Sequence, residues 1–587
     1  MARAAIVLYE EAPEKEQFLL ARTLDFFGVP WKMLALSAFP EANSVAQDSV
    51  VFGSAAAVAT ALEQTATVEQ CLERRTVFYA YSSHDRSATE RGIRFLLGES
   101  GVTVGDAPDG VVPVQVSSCP DDEVGQMAGI GARLRMRKED AILAGIERLG
   151  TQVSTILSAD GAPIYLRMEH RSIPIYLCAS RYVIDIDQEI EAGYYDVKEH
   201  FCSAVPLVTF IRHLFQEVAW HPQELGACLI IDDPLLRRRY GCCDFKRMQQ
   251  LMREYGFTTN IAFIPWNWQR TSPAAADLFG NGFGPFSVSV HGCDHIQAEF
   301  GNSSPAILYE RARLALRRMQ KHEERTGIHH DPIMVFPHGV FSSRCPGILK
   351  RTGFWAAINT EVSPVDRTGG RTRVRDAWDI ATMKYGDFPV FTRRYAHHGI
   401  ENFAFDLLLG KPCLIVAHHD FFKDEYAALL QLLEGLRARN CSLHWQPLGA
   451  VVRNACRRRS TGRGTEEVQM YGAELSLHNA SEQPLQVIIQ KQEADVETIS
   501  EIQCDGAPVP WLGVEDRCSF AATIPAKSER LFRISYREPD QMSADMRSAA
   551  FRSSVGARRF LSELRDASRG RFASISLAAT TLRGSRK

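Results

Sequence analysis

Apolar and polar positions along this 587-residue chain change rhythm several times. Through residues 1–108, short apolar runs ("AAIVLYE", "WKMLAL", "SVVFG", "TVFYAY") alternate with stretches apolar along one helical face ("EKEQFLLARTLDFFGV", "AAAVATALEQ", "TERGIRFLL"). That alternation predicts βαβ units on a parallel sheet. Residues 109–202 move to period two ("GVVPVQV", "APIYLRMEHRSIPIYLCASRYVIDID"), the pattern of antiparallel strands. From 203 to 455 the βα rhythm returns. Strands are predicted at "CLIID", "TNIAFIP", "FSVSVHG", "IMVFPHG", "WAAINTE" and "PCLIVAHH", with helices such as "FKRMQQLMREYGF" and "PAILYERARLALRRMQKHEERTG" between them. Six such repeats favour an incomplete barrel of parallel strands. The basic stretch "RRRSTGRG" (457–464) reads as a linker, and 465–538 alternates like a small β-sandwich. Residues 540–587 form a Ser/Arg-rich basic tail, with one amphipathic helix expected within 550–567 and a disordered end.

The fold class expected is therefore multidomain α/β. A Rossmann-like α/β domain (1–108) and a β-rich region (109–202) come first. A distorted (β/α) barrel (203–455), a β-sandwich (465–538) and the tail follow. No glycine fingerprint follows the first strand, so a nucleotide site is not supported. With 45% hydrophobic and 23% charged residues, the composition is that of a soluble globular protein. A net charge of −3 and a pI near 6.6 argue against nucleic acid as a partner. No apolar stretch approaches the roughly 18 residues of a membrane span, and no secretory leader is legible. The 14 cysteines are unevenly spaced, several within apolar runs, and none forms a CxxC pair. This usage suits reduced, core-filling thiols, and a cytoplasmic location is expected.

Chemistry enters at the ends of the barrel strands. In parallel barrels the C-terminal ends of the strands converge on one mouth. The first strand delivers Asp232 and Asp233, the third His291 and His295 in "HGCDH", the fourth Pro337, His338 and Gly339, and the last His418, His419 and Asp420. Alone, each piece has an ordinary reading as a cap, a turn or a loop residue. Together they place three aspartates and five histidines at one mouth. A catalytic divalent ion such as zinc takes three N/O ligands and keeps a position open; Asp233, His291 and His295 supply them. Asp232 is then placed to act as general base, and a histidine of the last strand as general acid.

The order Asp-Asp, H-x-x-x-H, Pro-x-Gly turn and apolar strand ending in His resembles the polysaccharide deacetylase superfamily. The layout is similar to multidomain deacetylases of amino-sugar exopolysaccharides. The resemblance implies a metal-dependent hydrolase of the amide in N-acetylated amino sugars of a polysaccharide or oligosaccharide, with Zn2+ the expected ion. It implies Asp232 as base, Asp233, His291 and His295 as ligands, and the last-strand histidine as acid. Strand length favours His418, while His419, beside Asp420, fits the family's His-Asp ending. The Pro337-His338-Gly339 turn is expected at the substrate. The family's arginine before that turn is replaced by Phe336, and Arg393 or Arg394 in "FPVFTRRY" could stand in for it. Trp266, next to Asn267 in "IPWNWQR", and Trp268 are candidates for stacking on sugar rings. The first two segments are a candidate carbohydrate-binding region; the basic tail near "ARRFLSELRD" reads first as a solvated or domain-docked helix, with peripheral membrane contact as the alternative. Competing readings are a metal-dependent glycoside hydrolase or other amidohydrolase, and a non-catalytic polysaccharide-binding protein.

Overall fold

The computed structural model describes residues 4–39, 47–98, 101–118, 123–145, 153–280, 286–301, 304–366, 368–439, 441–462, 464–537 and 553–566. The chain is multidomain α/β. Its N-terminal part is a nine-stranded mixed sheet. Ala5–Tyr9, Trp31–Ala35, Val50–Ser54 and Val77–Tyr81 run parallel. The period-two strands of 109–202 extend the same sheet. Ile173–Cys178 pairs parallel with Val77–Tyr81 and antiparallel with Ala162–His170, so both segments share one sheet.

The helix Phe201–Leu214 joins this sheet to the barrel. Almost every residue of it is buried, as expected of a helix apolar all round. Phe210 contacts Phe52, Tyr79 and Tyr176 of the sheet.

Every pair in the central nine-stranded sheet is parallel. The order runs from Val390–Thr392 through Ala356–Asn359, Ile333–Val335, Phe286–His291, Thr259–Phe263, Leu225–Asp232 and Cys413–Ala417 to Arg394–Tyr395. The two ends of that order are halves of one stretch, interrupted only at Arg393. The ring is therefore near-closed, and residues 390–395 are its seam. The outer helices form where the sequence punctuates them. In Pro305–Thr326, the Ser304 side chain accepts from the Ile307 amide, proline takes the first position, and Gly327 ends the helix in the left-handed conformation. In Phe245–Tyr255, Asp244 caps and Gly256 terminates.

The C-terminal part packs a six-stranded sheet on a four-stranded one. Most pairs are antiparallel, but Thr465–Met470 and Leu485–Gln492 run parallel. The expected linker at 457–464 is instead largely the strand Cys456–Ser460, paired with His221–Pro222 and Thr465–Met470. Its charges are neutralised in place. Arg458 and Arg459 donate to Glu466 and Glu467 at 2.7 and 2.6 Å. Arg457, 4% exposed, lies over the Phe26 ring.

Residues 553–566 form a helix, and the remainder of the tail lies outside the described residues. No helix among the described residues is long and apolar enough to cross a membrane.

Candidate active site

Asp232 ends a strand whose residues from Gly226 onward are buried. Strand alternation would send its neighbour to the opposite face. Asp233 instead takes φ 77°, a left-handed conformation that aspartate tolerates better than most residues. The alternation breaks there, and both carboxylates reach one cavity.

Asp232 is 3% exposed and meets the Arg393 guanidinium in a two-pronged pair, with Nη1 and Nη2 donating at 2.6 and 2.7 Å. Burial alone would raise its pKa. Arg393, with His291, outweighs burial and holds the carboxyl below its usual range. Asp233 Oδ1 lies 2.8 Å from His295 Nε2 and 3.4 Å from His291 Nε2. The His291 Nδ1 faces the Val335 carbonyl at 3.0 Å, which fixes the proton on Nδ1 and leaves the Nε2 lone pair toward Asp233.

The loop carrying His295 is shaped by two residues. Gly292 has φ +64°, and a Cβ there would sit 2.4 Å from Pro337 Cγ. Glu299, fully buried, accepts from the amides of Cys293, Asp294 and His295 at 3.0, 2.8 and 3.2 Å. Burial, with Asp294 beside it, pushes the Glu299 carboxyl up despite these bonds.

Two clusters among the described residues have the spacing of a metal site: Asp233, His291 and His295, and Cys293, Asp294 and Glu299. The second is already engaged, since Glu299 holds amides and Arg318 donates to Asp294 at 2.6 Å and reaches Cys293 Sγ at 3.2 Å. The first fits a divalent ion. Its ligand atoms lie within 4.8 Å of one another, and Asp233 Oδ1 is buried without a hydrogen-bond partner. One carboxylate and two imidazoles match the N/O donor set of a catalytic site.

The cavity above this trio has a volume of about 700 Å3. Asp232, Asp233, His291, His295, His338, Gly339, Arg393 and His418 all reach it. The His418 ring lies parallel to Tyr395 at 6.0 Å. His338 has φ 56° and packs 4.9 Å from the His295 ring. Burial, then the nearby His295, lowers its pKa. Pro337 sits against Gly292 beneath the lining.

Five expected site residues lie elsewhere. Arg394 is buried on the opposite face of the seam strand, donating to Asp406 at 2.5 and 3.0 Å and to the Tyr195 carbonyl at 3.0 Å. Arg393 faces Asp232 while Arg394 is engaged with Asp406, so Arg393 alone serves Asp232. His419 turns from the cavity; its ring meets Tyr240 edge-on and its Nε2 lies 3.5 Å from Asp566 Oδ1. Trp266 is covered by Arg318, whose guanidinium lies 5.1 Å from the ring, and Lys321 similarly covers Trp268. Asn267 is fully buried, its Oδ1 accepting from Arg270 at 3.3 Å. The short turn after the Thr259–Phe263 strand thus folds these side chains under the long helix Pro305–Thr326.

Two contributors escaped the sequence reading. Glu299 gave no signal beyond an acid four residues after His295. The 553–566 helix was read as tail, yet Arg558, Arg559, Leu561, Ser562 and Arg565 line the cavity. It is held by Tyr240 donating to Asp566 at 2.8 Å and by Arg270 clasping Glu563.

No protein-family model matches the chain, and no curated protein matches it. Solved structures of carbohydrate and polysaccharide deacetylases are similar to it. The carbohydrate deacetylase Agd3 is 9% identical, over 91% of this chain and 98% of that one, with a TM-score of 0.49. The chitin deacetylase of the fungal pathogen Colletotrichum lindemuthianum is 13% identical, over 39% and 88%, with a TM-score of 0.26. A family 4 carbohydrate esterase from Streptomyces lividans, in complex with acetate, is 13% identical over 37% and 91%, with a TM-score of 0.24. What the chain does is decided by the residues at its own cavity.

Proposed function

We propose that the protein removes acetyl groups from N-acetylated amino sugars of a polysaccharide or its precursor, hydrolysing the amide to acetate and a free amine. The observation that carries this reading is the meeting, at one cavity, of the Asp233–His291–His295 trio, the Asp232–Arg393 pair and His418. Asp233, His291 and His295 would hold a divalent ion, zinc being the first candidate, and the ion when bound would supply Lewis-acid chemistry toward the acyl oxygen and water. Asp232, kept ionised by Arg393, takes the proton from the attacking water. His418 gives a proton to the departing nitrogen, which would otherwise leave as an unstable amide anion. The Tyr395 ring lies parallel to the His418 ring, 6.0 Å away. A glycosidase would need two free carboxylates flanking its bond. Here Asp233 faces two histidines in the arrangement of a metal site, which counts against that reading.

The test is acetate release from N-acetylated glucosamine and galactosamine oligomers, with and without a chelator, beside Asp232→Asn. Chelator should abolish release and added metal restore it. Asp232→Asn should lower kcat by about 10²–10⁴-fold, the usual worth of a general base, while still binding the ion. Stoichiometric metal without release from any oligomer would move the assignment to another bond. Absence of both would overturn it.

A further inference from the structure

The cavity holds more positive charge than deacetylation of a neutral sugar requires. Four arginines line it (Arg393, Arg558, Arg559 and Arg565) against three carboxylates (Asp232, Asp233 and Glu361). A divalent ion on the trio would add to that excess. Arg393 is spent on Asp232, and Arg565 pairs with Asp566 at 3.1 Å. Arg559 differs from both. It is 4% exposed, and its Nε and Nη2 are buried with no hydrogen-bond partner. Among the described residues it forms no ion pair. The carboxylates of its own helix are engaged: Asp566 with Tyr240, His419 and Arg565, and Glu563 with Arg270. Arg558 adds an exposed cation beside it, near enough to His338 to help depress that imidazole.

A buried guanidinium without an anion costs several kcal/mol, roughly, and its planar fork matches a carboxylate or phosphate in two-pronged fashion. We propose that the glycan bound in this cavity carries an anionic group, a carboxylate or a phosphate, that docks on Arg559 while its N-acetyl group lies at the Asp233–His291–His295 trio. The N-acetyl half of this statement rests on the deacetylase reading; the anion half rests on the helix 553–566 alone. Arg559 is thus the residue that selects among N-acetylated glycans, with Arg558 steering the negative charge inward.

Binding to the full chain, followed by calorimetry, tests this. The probes are neutral N-acetylglucosamine oligomers, oligomers in which N-acetylglucosamine alternates with glucuronate, and phosphate-bearing N-acetylglucosamine. The proteins are the natural chain, Arg559→Gln and Arg559→Lys. The natural chain should bind at least one anionic class tenfold or more tighter than the neutral one, and which class it prefers names the group. Arg559→Gln should erase that preference, and Arg559→Lys should keep part of it. Equal affinity of the natural chain for neutral and anionic probes overturns the proposal, with no variant needed. A preference that survives Arg559→Gln, in a variant melting at the natural temperature, also overturns it. Parallel acetate assays separate the two readings. An Arg559-dependent preference without acetate release keeps the anion site and removes the deacetylase. Release without preference does the reverse.

Discussion

Asp232 is buried at the bottom of the cavity and is tolerable there because Arg393 faces it at both oxygens. Truncating one member of such a pair strands the other. Arg393→Gln should therefore cost about 3–5 kcal/mol of stability, measured by urea unfolding, and should reduce acetate release along with it. Adding Asp232→Asn to that variant should recover part of the stability, because the stranded charge is gone, and none of the activity. Residue types at this site were legible from the sequence because successive parallel strands end at one mouth, so polar side chains that each read singly as a cap or turn add up there. Choices between neighbours were not. Arg393 and Arg394 are equal in composition and differ only in which face of the seam strand they occupy. His418 and His419 are likewise divided by the turn that follows their strand, where one ring stays over the cavity and the other meets Tyr240 and Asp566.

At the scale of elements, the loop between Gly292 and Glu299 positions one member of the trio, His295. One carboxylate holds three consecutive amides, the last belonging to His295. Glu299→Gln replaces one acceptor oxygen with a donor facing those amides. Metal affinity should fall by about 10–100-fold, as for other supports of ligand geometry, read by competition with a chromophoric chelator. The barrel strands read clearly because they are apolar runs bounded by turns. The seam at 390–395 did not, because "VFTRRY" carries two adjacent arginines. Both are buried as ion pairs, and a single sequence does not show that a charge is matched. The Cys456–Ser460 strand was hidden for the same reason, its arginines being paired across strands or laid on an aromatic ring.

Across the whole molecule, the cavity is completed by a segment remote in sequence. Asp566 anchors that segment, and burial would raise its pKa. Hydrogen bonds from His419, Tyr240 and Arg565 lower it instead, to about 2. A carboxyl with a pKa depressed by folding contributes stability in full above its unfolded value near 4 and loses it as pH falls through about 2. The natural chain should therefore exceed Asp566→Asn in melting temperature at pH 6, and the gap should close between pH 4 and pH 2. A gap independent of pH would show that the anchor is not ionic. Nothing in the pattern of 540–587 announced this docking, since an amphipathic helix looks the same whether it meets a membrane, solvent or a barrel mouth.

The Tyr240–Asp566 bond spans 326 residues of chain. At ordinary rates of synthesis that separation corresponds to on the order of half a minute. During that interval the trio of metal ligands can already be in place while the wall bearing Arg559 has yet to be made. If the trio holds an ion and Arg559 selects the glycan, as proposed above, a growing chain completes the first site before the second, and chemistry and selectivity begin at different times.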